Sequence, residues 1–429
     1  MFTTDHNNHA GTVTTPGVVI PFYVYAALSF LWAVFLLCIS PAGRYDHYFS
    51  PHTLAITHAM ALGWGTMIIL GASHQLVPVL AEGKLYSHRL AYLTFILAGV
   101  GIPLLVYAFY TFNMGVPAKA GAILINSAVL LFLVNVICSR PAAKNENVHV
   151  VFVITATCWL FMTTFAGLLL VYNFTHPLLR ENSLHYLPLH AHMGIVGWFL
   201  LLITGVGSRL IPMFLVSKYT NIKQLWWIYA LMNGGLTGFV LLFLYVRRPV
   251  LYFLPVACLL AAIVIFICYC YGCYRERIRR QVDGQVKISL LSVLMMIIPL
   301  VLLAAAIGFL LTTTENTALV LIYGFSVFFG WLTAIILGMT FKTLPFIVWN
   351  KLYHVQAGAG KTPSPKDLFS SRLFNLMALS YLLGFLLFVA GVFAANGGVV
   401  RAGAVLLLLC AFLYNLNIFR VTFYKPGWR

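Results

Sequence analysis

The chain has 429 residues, of which 62% are hydrophobic and only 8% charged, against roughly 25% charged in an ordinary soluble domain. That composition excludes a water-solvated surface. The formal net charge of +17 then raises nucleic-acid binding as a class, which the placement of the basic residues excludes.

Apolar runs of about 20 residues or more, nearly free of Asp, Glu, Lys and Arg, recur along the chain. Each is long enough to cross a hydrocarbon core of roughly 30 Å at 1.5 Å per residue. In order they fall near 17–40, 51–80, 88–111, 118–138, 150–174, 187–215, 224–246, 250–273, 286–312, 316–347, 372–395 and 399–419. The first sixteen residues are polar and lack an apolar core with a cleavage site, which argues against a removable signal peptide and keeps span one in the mature protein.

Six of the 26 basic residues, Arg44, Lys119, Arg180, Arg247, Arg248 and Arg401, fall on one side of this topology, and the other 20 on the opposite side. The crowded side includes Arg275, Arg277, Arg279, Arg280, Lys351, Lys361, Lys366 and Arg372. By the positive-inside rule both termini are cytoplasmic, as expected for a multi-pass protein of a bacterial-type cytoplasmic (inner) membrane. The basic excess reports orientation and implies no nucleic-acid partner. Of the eight cysteines, most lie in apolar spans as small hydrophobes, and Cys268, Cys270 and Cys273 lack a fourth ligand at a metal-site spacing.

Three segments align without gaps: His58 to Trp64, continuing to Gly71 and Pro78; His192 to Trp198, continuing to Gly205 and Pro212; and Phe325 to Trp331, continuing to Gly338 and Pro345. These are spans two, six and ten, so the repeating unit is four helices, approximately 17–138, 150–273 and 286–419. A period of four keeps the copies parallel and lets them surround a common axis. The fold expected is an all-α polytopic membrane protein of about twelve transmembrane helices in three pseudo-symmetric four-helix arcs. Trp, Gly and Pro recur every seven residues on one helix face, where the Gly admits a neighbouring helix. The Pro, near the cytoplasmic end, reads as a helix stop.

All nine acidic residues, Asp5, Asp46, Glu82, Glu146, Glu181, Glu276, Asp283, Glu315 and Asp367, lie in loops, in the N-terminal segment or at span ends. No paired carboxylates are available for acid–base work. The histidines carry more: His58 lies about two turns into span two from the external side, with His190 and His192 at matching depth in span six. His74 lies roughly 24 Å from His58 along the same span and cannot share its ligand. Intramembrane ionisable groups are costly and usually functional, and neutral imidazoles at one depth on neighbouring helices suit heme iron or copper. His190 and His192 point about 200° apart and so face different crevices. Met60 and Met193 closely follow these histidines, in His-Ala-Met and His-Ala-His-Met, and would suit copper(I). His47, His52, His176 and His185 near the external surface are further ligand candidates, against the simpler identity of solvated loop histidines.

Twelve spans in three arcs, with a His near the external end of spans two and six, resemble the catalytic subunit I of the heme-copper oxidase superfamily, a group that includes cytochrome c oxidases and nitric oxide reductases. The resemblance implies that His58 ligates a low-spin heme and that His190 or His192 stands where that family ligates copper. The sequence departs from the family pattern in having no histidine between His192 and His354 and in carrying Tyr323 and Phe325 on span ten. The family's copper–heme oxygen-reducing centre is therefore incomplete. What the resemblance leaves is a single heme b between spans two and six, with His58 opposite His190 or His192, in electron transfer or in handling nitric oxide or oxygen. No Cys-x-x-Cys-His motif is present, so the electron donor is a quinol or a separate cytochrome c-type protein. The competing class is a transporter or a copper- or heme-handling permease, since parallel repeats also build transporters; an assembly or docking subunit is a third.

Overall fold

In hydrocarbon no water is available to backbone amides, so a spanning segment must satisfy its own hydrogen bonds, and each apolar run does so as a helix. The computed structural model describes residues 14–40, 47–139, 147–312, 316–353 and 362–425. Among these are twelve spanning helices: α1 Pro16–Ile39, α2 Pro51–Leu80, α3 His88–Tyr110, α4 Val116–Cys138, α5 Val148–Asn173, α6 Leu187–Leu215, α7 Ile222–Val246, α8 Pro249–Arg275, α9 Gly284–Thr312, α10 Thr317–Tyr353, α11 Ser371–Phe393 and α12 Gly397–Thr422. Residues 1–13, which bear on the signal-peptide expectation, and the charged positions Arg44, Asp46, Glu146, Glu315 and Lys361 lie outside the described residues. Several helices start at side-chain caps: Ser50, Ser87, Asn221, Asn316 and Ser370 each accept the backbone N–H three residues on.

Burial separates three helices from the other nine. Of the most apolar stretch of each, 78% is buried in α2, α6 and α10, against 22–50% elsewhere. These three form the centre. Around them α4 packs on α5, α8 on α9 and α12 on α1, so the outer helices close into a ring. The outer faces expose Leu93, Ile96, Leu254, Val301 and Leu386, a surface that only lipid solvates without penalty.

The repeat is physical as well as textual. Gly71, Gly205 and Gly338 each receive the first helix of their own copy: a Cβ on Gly71 would lie 2.6 Å from Phe22 Cβ, one on Gly338 would lie 2.6 Å from the Gln285 carbonyl, and one on Gly205 would overlap Phe152. Each inner helix also widens into a π-helical stretch at the same place, Ala59–Thr66, Met193–Leu200 and Ser326–Leu332. The residues immediately before these stretches are His58, His192 and Phe325.

The three centres are pinned to one another by indole hydrogen bonds. Trp64 Nε1 donates to Thr333 Oγ1 at 3.1 Å, and Trp198 Nε1 donates to Thr66 Oγ1 at 3.1 Å. Thr66 and Thr333 occupy equivalent repeat positions, and the third such position holds Leu200, which offers Trp331 no acceptor.

The prolines correct one expectation. Pro78 and Pro212 do precede helix ends, their carbonyls accepting from Gly83 and Ser217 at 2.9 Å across the left-handed residues Glu82 and Val216. Pro345 does not stop α10, which continues to Tyr353.

At the end of the bundle away from His58, Asp283 ties α9 to α10. Its carboxylate accepts from Arg279 at 3.0 Å, from Lys366 at 3.2 Å and from Lys342 of α10. Burial opposes ionisation of this carboxyl, but the hydrogen bonds and charges of Lys342 and Lys366 outweigh it and hold its pKa below the ordinary value.

Two outcomes follow from this packing. Gly71→Ala is expected to lower stability by about 1–3 kcal/mol through overpacking, whereas Gly238→Ala, whose Cβ meets nothing within 4 Å, is neutral or mildly stabilising. Thermal unfolding in detergent distinguishes them. Asp283→Asn is expected to cost about 1–3 kcal/mol at neutral pH. Because the native pKa is depressed, the carboxylate's contribution is full above its unfolded pKa of about 3.9 and is lost as pH falls through the native pKa. The Tm gap between variant and wild type should therefore close on acidification; a gap constant with pH contradicts this account.

Candidate cofactor site

At the His58 end of the inner helices lies a cavity of about 700 Å³, within the range of roughly 300–1,000 Å³ that takes a sizeable organic ligand. Its walls are largely apolar, with Leu105 and Phe109 from α3, Leu160 from α5, Phe199 from α6 and Phe328 from α10. His58, His190 and His192 all line it.

Each imidazole is oriented by a backbone carbonyl. His58 Nδ1 lies 2.8 Å from the Leu54 oxygen and His192 Nδ1 lies 2.7 Å from the Pro188 oxygen, both one turn back on their own helix. His190 Nδ1 instead reaches across to α5, 3.1 Å from the Thr163 oxygen. A carbonyl only accepts, so Nδ1 donates in all three neutral rings and Nε2 keeps its lone pair. This is the arrangement in which metal-ligating histidines are held, one nitrogen anchored and the other free to coordinate. Gly167 on α5 leaves room for the His190 ring; a Cβ there would lie 2.9 Å from His190 Cε1.

The pairing of these rings follows the three-fold arrangement. His58 faces His190, ring centroids 6.4 Å apart and planes 18° from parallel. His192 faces Tyr323 of α10 at 5.9 Å and 19°. In repeat register His192 corresponds to His58, and Tyr323 to His190, so the two crevices, α2/α6 and α6/α10, are built alike. In the third, Phe325 stacks on Phe329, Phe385 and Phe388 at 4.8, 5.7 and 4.0 Å, and this aromatic plug occupies the position equivalent to His58. The structure therefore brings His58 and His190 together and sends His192 to a separate crevice.

His58 and His190, each anchored through Nδ1, are the two imidazoles on facing helices that would hold a heme iron in this cavity. Among the described residues no group of three or more His, Cys, Asp and Glu side chains gathers to hold a metal. Cys270 and Cys273 are buried and Cys268 is exposed. Met60 lines the cavity.

The peripheral histidines separate in the same way. His47 Nδ1 accepts the Phe49 N–H at 3.0 Å, His52 lies edge-on to Tyr110, and His176 lies 3.4 Å from Lys119 Nζ. Only His185 among these four reaches the cavity lining, joined at the rim by Arg247, the one formally charged lining residue among the described residues. Arg247 also faces Glu181 at 3.5 Å. The roles of Gly167, Thr163 and Arg247 are not signalled by the sequence; the His58–His190 contact is, once the repeat is treated as a ring in which each inner helix meets the next.

No protein-family profile matches the chain, and no curated protein matches it.

Proposed function

We propose that the chain binds one heme b between α2 and α6, which His58 and His190 would hold, and that it serves electron transfer as a diverged relative of heme-copper oxidase subunit I. The observation that carries this reading is the near-parallel imidazole pair at 6.4 Å, each ring anchored through Nδ1 and left with a free Nε2. The bound heme supplies one-electron redox chemistry. The Leu54 and Thr163 carbonyls fix the tautomer and azimuth of the two rings, Gly167 makes space for the second, and Arg247 offers a cation to carboxylates at the rim. With two imidazoles available to hold the iron, the site would favour electron transfer over the binding of nitric oxide or oxygen. Copper is the weaker choice, since it wants further imidazole or soft ligands beside the pair. The positive-inside distribution of basic residues supports a site in the external half of a bacterial-type cytoplasmic membrane, with both termini cytoplasmic, and a quinol or a separate cytochrome c-type protein would be the donor.

A transporter reading draws on one feature, the non-helical backbone of Gly330 inside α10 (φ −88°, ψ −113°). Broken transporter helices turn their freed carbonyls toward substrate or ions. Here the Gly330 carbonyl accepts from Tyr381 at 2.7 Å and that of Trp331 accepts from Ser292 at 2.7 Å. The break is absorbed by helix packing.

Protein purified after heme-replete expression is expected to show a Soret band of six-coordinate low-spin heme that carbon monoxide does not shift. His58→Ala and His190→Ala should each lose bound heme or convert it to a carbon monoxide-binding form. Gly167→Ala should weaken heme retention roughly tenfold by displacing an oriented ligand, and His192→Ala should retain the band. Absence of a Soret band in wild type, or its loss in His192→Ala but not in His190→Ala, refutes the assignment.

A further inference from the structure

The α6/α10 crevice has what the first crevice has in part, and a different second partner. His192 Nδ1 is engaged by the Pro188 carbonyl, while its Nε2 is buried and has no hydrogen-bond partner among the described residues. A buried acceptor left unpaired carries an uncompensated desolvation cost and asks for an explanation. The atom is a lone-pair acceptor, so whatever completes it must donate a hydrogen bond.

The surroundings narrow the donor further. Tyr323 lies near-parallel to the imidazole at 5.9 Å, and Phe239 of α7 lies 5.1 Å away. The crevice is thus framed by aromatic rings, with the Tyr323 hydroxyl as its second polar group. The cavity lining continues along α9 through Leu303 and Ala306 to Leu310, which is 48% exposed on the outer, apolar surface of the bundle. The lining thus reaches a residue on the lipid-facing surface. A metal ion would need more ligands than one imidazole and a phenol, and among the described residues no such group gathers.

We propose that the α6/α10 crevice binds the ring of a lipid-soluble hydroquinone, with His192 Nε2 accepting a hydrogen bond from one ring hydroxyl and Tyr323 flanking the ring. The aromatic frame suits a planar ring, the orphaned acceptor suits its hydroxyl, and a largely apolar lining that reaches lipid-facing Leu310 suits a molecule that partitions into the bilayer. This goes beyond the heme reading and does not depend on it for binding, because neither His58 nor His190 takes part. It does place the ring in the same cavity as the proposed heme-holding pair and selects a quinol over a protein as electron donor.

The test uses the full chain purified in detergent and calorimetric titration with a short-chain ubiquinol analogue kept reduced, in parallel with its dimethyl ether. A site built to pair with a hydroxyl rejects the analogue lacking it, so wild type should bind the quinol at least tenfold more tightly than the ether. His192→Leu should remove that preference, His192→Gln, which keeps an acceptor, should restore part of it, and Tyr323→Phe should weaken quinol binding several-fold. His58→Ala should keep the preference for quinol over ether while its Soret band is lost or becomes sensitive to carbon monoxide, so failure of one proposal is separable from failure of the other. Equal binding of quinol and ether by wild type, or an undiminished preference in His192→Leu, overturns the proposal. So does loss of heme with no quinol binding in the His192 variants, which would make His192 a heme ligand.

Discussion

An indole N–H buried in a membrane bundle has no water to turn to and must find an acceptor on a neighbouring helix. Trp64 and Trp198 find theirs on the threonines of the other inner helices. Measured interhelical hydrogen bonds in membranes average only about 0.6 kcal/mol, so two of them add little to stability. Their consequence is rotational. Once Trp64 is held to α10 and Trp198 to α2, the azimuth of each inner helix is fixed, and with it the side chains that face across each crevice. The meeting of His58 with His190, and of His192 with Tyr323, depends on that registration.

The π-helical stretches explain how one helix serves both contacts. An i→i+5 turn accommodates an extra residue and rotates the chain beyond it relative to a regular helix. His58 and His192 stand immediately before such stretches, and the tryptophans lie within them. The histidine can then face the cavity while the indole a turn and a half later faces the adjacent inner helix. The glycines a further seven residues on bring the first helix of each copy against the inner helix, closing the bundle below the cavity. Site and scaffold are thus determined by the same short repeat.

Much of this was legible in the sequence. The spans at 51–80 and 187–215 coincide with α2 and α6, because only long apolar segments can span lipid, each satisfying its own backbone as a helix. The divergence of His190 from His192 was also readable, from helix geometry alone. Their partners were harder. Sequence equivalence pairs His58 with His192, yet rotation about a three-fold axis carries equivalent positions away from each other, so each residue meets a non-equivalent one on the next copy. That His58 meets His190 follows from treating the copies as a ring. The π-helical stretches left no signal that composition could reveal, since glycine and aromatic residues are common in membrane helices. Pro345 read as a stop by analogy with Pro78 and Pro212, but α10 continues to Tyr353 as a longer helix than its counterparts.

The third crevice is a physical contrast to the other two. Were the histidines merely packing residues, the simplest filling for all three equivalent positions would be the one copy three uses, a stack of Phe325, Phe329, Phe385 and Phe388 with no polar atom to satisfy. That filling is compact and carries no desolvation penalty. Copies one and two instead place imidazoles there, occupy one nitrogen of each with a carbonyl, and leave the other without a donor from the described protein at His192. Retaining an unmet acceptor beside a ready apolar alternative is a structural expense in the absence of a ligand. The bundle bears it at His192 and avoids it at Phe325, so copies two and three solve the same position in opposite ways, one with an unmet polar atom and one with an apolar stack.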